Sequence, residues 1–72
     1  MENKQAILND LCKALQKTRR YEHLQSLTYL TDGDEETVHA GFRYGGKGKN
    51  GRLIDVTMDS GIAMIKDVLA NI

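Results

Sequence analysis

The chain has no proline, one cysteine, no net charge and no apolar run of membrane-spanning length in its 72 residues. Each lack excludes something. Without proline there is no rigid linker or proline-rich ligand segment. A lone Cys12 cannot form an intramolecular disulfide, which fits a reducing compartment. Ten basic residues balanced by ten acidic ones lower the case for a protein that coats DNA non-specifically, where Lys and Arg are in excess. The opening "MENKQAILND" has no basic region followed by an apolar block, and no stretch suits a membrane span. The expectation is a soluble, cytoplasmic protein. There is no internal repeat. At 72 residues the chain forms one small domain of modest core, for which self-association is a common remedy.

What is present is periodicity. Over residues 3 to 19, Ile7, Leu8, Leu11, Cys12 and Leu15 recur at helical spacing. Residues 60 to 71 read as a second helix, with Ile62, Ile65, Val68, Leu69 and Ile72 as its stripe and Asp59 or Ser60 placed to cap. Between them the pattern changes to period two. Val38, Ala40 and Phe42 alternate with His39, Gly41 and Arg43, and Ile54, Val56 and Met58 with Leu53, Asp55 and Thr57. A further strand spans about 22 to 31, before the turn signal Asp32-Gly33. The spacing predicts an α+β domain: a three-stranded antiparallel meander flanked in sequence by two helices, with both helices on one sheet face. A two-residue turn puts Leu27 and Tyr29 on the face of Val38 and Phe42. Leu24, Leu30 and Leu53 then fall on the outer face, as a surface for a protein partner or a second copy forming a dimer.

The segment "GFRYGGKGKNGRLI" carries two phosphate-binding spellings. Gly41, Gly46 and Lys47 match the start of a P-loop, but Gly48 stands where the metal-holding Ser or Thr belongs. Gly46, Gly48 and Gly51 spell G-x-G-x-x-G, but a strand follows where both motifs require a helix N-terminus. Asn50-Gly51 instead reads as a turn in a long glycine-rich strand connection.

Charge is arranged more tellingly. Lys13, Lys17, Arg19 and Arg20 end the first helix, and Arg43, Lys47, Lys49 and Arg52 lie in or beside the glycine loop. The topology brings these groups to one end and sends Asp32, Asp34, Glu35 and Glu36 to the other. Tyr21 and Tyr44 each follow an Arg at the basic end, where aromatic and guanidinium planes stack on bases and Lys neutralises phosphate. Arg19, Arg20, Tyr21, Arg43, Tyr44, Lys47, Lys49 and Arg52 are therefore the candidate contacts for single-stranded nucleic acid, or for a small phosphorylated ligand held by the loop. The opposite reading is a solvated charged end. From Phe42 onward, "FRYGGKGKNGRLIDVTMDSGIAMIKDVL" resembles the end of positive-cofactor-4-type transcriptional coactivator domains. The resemblance implies a strand–basic loop–strand–helix unit that binds single-stranded DNA as a dimer. Those domains begin with strands, whereas a helix leads here.

No catalytic set converges. Cys12 lies on an apolar stripe as a buried thiol. His23 and His39 lack ligands at metal spacing, Asp55 and Asp59 are a carboxylate pair with no identified cleft, and Asp59 and Ser60 read as capping residues. The expectation is a non-enzyme without cofactor or metal, acting as a protein-binding module such as an adaptor, a regulator or an inhibitor of a larger complex.

Overall fold

The computed structural model describes residues 3–42 and 51–72. The order is α1 (Lys4–Gln16), β1 (Leu24–Asp32), β2 (Glu35–Phe42), β3 (Gly51–Asp55) and α2 (Gly61–Asn71). The strands form one antiparallel sheet in the order β1-β2-β3. This is the α+β meander that the periodicity predicts.

Each helix starts where a side chain satisfies an amide that has no partner within the helix. Asn3 Oδ1 accepts from Ala6 N–H at 3.0 Å, and Ser60 Oγ accepts from Ala63 N–H at 3.2 Å. The first helix ends at Gln16, short of the expected 19, because Lys17 and Thr18 turn their amides back to Ala14 and Leu15. Leu8 and Cys12 from α1 meet Met64 and Val68 from α2 over Leu27, Val38, Ala40 and Ile54 of the sheet. Both helices therefore lie on one face, and no described residue forms a layer on the other. Among the described residues, no helix is long and apolar enough to cross a membrane.

The β1–β2 hairpin turns on two residues. Asp32 pairs with Glu35, and Gly33 sits at φ 62° between them. Glycine at the first central position takes that left-handed angle without a Cβ clash. The register then sets Leu27 against Ala40 and Tyr29 against Val38, so the two-residue turn holds.

Four further expectations need correction. Gly51 does not lie in the strand connection but opens β3 opposite Gly41, and on α2 Met64 and Val68 are buried while Ile62 is 68% exposed. Leu24 is not on the outer face but wholly buried in the core. The ladder slips between Leu24 and Ser26, where Leu24 pairs with Phe42 and Ser26 with Gly41. One extra residue, Gln25, reverses the facing of everything before it. Met58 does not continue the inner row of β3. The strand stops at Asp55, and Met58 takes φ 65° with 89% of its surface exposed.

Candidate binding surface on the uncovered sheet face

The outer face follows from pairing and alternation. Its rows run Ser26–Gly41–Gly51, Thr28–His39–Leu53 and Leu30–Thr37–Asp55. His39 is thus the central side chain of the central strand, flanked across the ladder by Thr28 and Leu53. Beside it two glycines face each other, Gly41 and Gly51. A Cβ on Gly51 would stand 2.5 Å from His39 Nε2, and one on Gly41 would stand 2.9 Å from Ser26 Oγ. The imidazole therefore lies over bare backbone. The result is an open hollow of about 540 Å³ lined by Gln25, Ser26, His39, Gly41, Phe42, Gly51 and Leu53. The bulge that sends Leu24 inward also sets Gln25 at the hollow's rim.

Leu53, 69% exposed, and Leu30, 45% exposed, remain on this face as expected. They are two strands and one pleat apart, about 12 Å by sheet spacing, with His39 and Thr37 between them. Leu24, the third member of the expected surface, is absent from it.

Gly51→Ala tests this geometry. The obstructed atom is the tip of an imidazole that can rotate, so the fold should persist with a loss below ~1 kcal/mol. The His39 ring should move, read as a large shift of its imidazole resonances while helix resonances stay in place. A ring that stays in place in the variant would mean that it does not lie over Gly51.

The basic end is only partly placed. Arg19 and Arg20 follow α1, and Arg52 of β3 pairs with Ala40 of β2. The Arg20 guanidinium stands 5.4 Å from the Tyr21 ring centroid, and Tyr21 packs against the core. One face of that ring is already taken by its own arginine. Arg43, Tyr44, Lys47 and Lys49 lie outside the described residues. The acidic hairpin Asp32–Glu35 lies at the far end of the sheet from Arg52, which is the part of the expected charge polarity that falls on described residues.

At the acidic end the structure contains a cluster that pattern reading missed. Glu36 Oε1 accepts from Lys4 Nζ and, at 2.6 Å, from the Tyr29 hydroxyl, and Oε2 accepts from Met58 N–H at 2.9 Å. Lys4, Tyr29 and the Met58 amide hold the Glu36 carboxyl down to about 2. The same cluster raises the Tyr29 phenol, chiefly through its hydrogen bond to Glu36. The bond to Met58 N–H also fixes the left-handed backbone there, which a non-glycine residue rarely adopts. No sequence signal links residues 4, 29, 36 and 58, because they come from α1, β1, β2 and the turn after β3 and meet only in the folded chain.

Nearby, Asp59 Oδ2 is covered and has no hydrogen-bond partner, while the Asp67 carboxylate approaches it. Two neighbouring carboxyl groups favour holding a proton, so Asp67, and after it burial, raise Asp59 from its ordinary value. Asp67→Asn supplies a donor without that proton and should raise the melting temperature at neutral pH. The gain should shrink in acid, where Asp59 holds its proton, and an unchanged or lower value at pH 7 would contradict the assignment. Burial pushes the Cys12 thiol up as well, opposed by the Leu27 amide, as suits an unreactive core residue. Among the described residues, no group of His, Cys, Asp and Glu is placed to hold a metal ion.

No protein-family model, curated protein or solved structure matches the chain. The C-terminal resemblance to coactivator domains therefore rests on its own residues alone.

Proposed function

We propose that this chain is a small, non-enzymatic protein-binding module that offers the uncovered face of its sheet to a partner. The observation that supports this reading is the hollow around His39. It joins an exposed Leu53 to the polar groups of Ser26, Gln25 and His39. Isolated exposed leucines are ordinary. A concave surface that combines an apolar rim with convergent donors and acceptors is a feature of binding sites.

A photo-cross-linking residue placed at Leu30 or Thr28, on the uncovered face, should capture a discrete protein in the native cell. The same residue at Asp10, on the solvent side of α1, should not. Equal capture from both positions, or none from the sheet, would reject the reading. Nucleic-acid binding at the basic end is the alternative, favoured by the charge polarity of Arg19, Arg20 and Arg52 against the acidic hairpin. It predicts a mobility shift with single-stranded oligonucleotides that weakens steeply with salt. Removing Lys47 and Lys49 should reduce the shift, and a salt-independent shift would not support it.

A further inference from the structure

The two edges of the sheet are treated differently. In an antiparallel ladder, alternate residues aim both backbone groups at one neighbour. Val56 donates its N–H to Glu36 O at 3.0 Å, which fixes the phase. Arg52 and Ile54 aim at β2, and Gly51, Leu53 and Asp55 aim away from it. By the same phase, Leu27 and Tyr29 aim outward from β1. That edge is closed by α1. The Gln5 amide accepts from Tyr29 N–H at 2.8 Å and donates to Leu27 O at 3.0 Å, as a paired strand would, and Gln16 donates to Leu24 O at 2.9 Å. Among the described residues, nothing bonds the outward groups of β3. An uncovered strand edge is a template for another strand.

We propose that β3 pairs antiparallel with β3 of a second copy about a twofold axis at Leu53, joining the two sheets into one of six strands. Faces match only if odd residues meet odd residues, so the axis falls on a residue and not between two. Only an axis at Leu53 uses the whole strand. It sets Gly51 against the partner's Asp55 and Leu53 against the partner's Leu53, so each outward N–H meets an outward C=O. Arg52 then faces the partner's Ile54. No like charges oppose, whereas an axis at Asp55 would set two aspartates face to face. The chain's net charge of zero adds no long-range repulsion between copies. This goes beyond the proposed function: Leu30 and Thr28 stay open in the dimer, so either idea can fail alone.

The test is sedimentation equilibrium of the full chain across a concentration series. The wild type should approach twice the monomer mass. Leu53→Pro removes only an outward N–H, which an edge strand tolerates, and should be a monomer with an unchanged far-ultraviolet spectrum. A wild type that stays monomeric throughout, or a folded Leu53→Pro that still dimerises, overturns the proposal. If that variant fails to fold, Leu53→Cys in a Cys12→Ala background decides. Two directly opposed residues of a hydrogen-bonded pair have Cα atoms about 5.5 Å apart, within disulfide reach. Mild oxidation should cross-link it far faster than Asp10→Cys in the same background, and equal rates would overturn the pairing.

Discussion

Leu24→Ala should lower the melting temperature by roughly 10 °C or more, since each kcal/mol is worth about 4–8 °C in a domain of this size. Leu24 has none of its surface exposed and sits among Leu8, Cys12, Leu27 and Met64 in the common core. Removing a buried isobutyl group costs about 2–5 kcal/mol in lost transfer energy and residual cavity. A domain this size has about 4–11 kcal/mol in total, so the variant should lose a large part of its stability. Leu30→Ala, 45% exposed on the outer face, should cost about 1 kcal/mol or less. Urea midpoints of the two variants measure the contrast. Equal losses would mean that the bulge is misplaced and that both leucines share one environment.

That contrast also marks where the sequence becomes illegible. The helices, strands, two-residue turn and one-sided core follow from period and turn chemistry. The bulge does not. "HLQSL" alternates no differently whether the ladder runs straight or slips, because the slip is decided by what Leu24 gains beneath α1. Gln16, which bonds the Leu24 carbonyl from α1, contributes to holding it there. Local pattern cannot weigh a contact between residues eight apart in sequence and on different elements. Met58 is a similar case. Alternation extends β3 through it, but its N–H donates to the Glu36 carboxylate, 22 positions earlier, and the chain leaves the strand.

The candidate surface is half legible for the same reason. Leu30 and Leu53 follow from strand parity, and the polarity of charge follows from topology. The hollow needs two glycines that read as loop-like or incidental in the chain yet meet across β2 and β3 to make room for an imidazole. The closure of the β1 edge is hidden too. Gln5 and Gln16 read as exposed helix positions, and only the packing angle of α1 turns their amides into surrogate strand partners.

Glu36→Gln is the second large effect, and its signature is pH dependence. A carboxyl whose folded value is depressed from 4.5 to about 2 binds protons more readily in the unfolded chain. It therefore contributes stability that is complete above about 4.5 and disappears as the pH falls toward 2. Asp59 acts in the opposite sense. Its folded value is raised, so its contribution is complete in acid and is lost as the pH rises through that raised value. In the wild type, acid removes the Glu36 contribution while restoring that of Asp59. The amide that replaces the Glu36 carboxylate keeps an acceptor for Tyr29 but no charge for Lys4. The variant should be clearly less stable than the wild type at pH 7. Its curve should flatten, or rise, where the wild type falls between about pH 4.5 and 2. Tyr29→Phe should give an intermediate curve, since it deletes one of the three donors that hold the carboxylate. Urea midpoints at fixed ionic strength across that range measure all three. A Glu36→Gln curve parallel to the wild type would show that the acid limb belongs to other carboxylates. The bond that holds Met58 in its left-handed turn would then be incidental to stability rather than part of what fixes the start of α2.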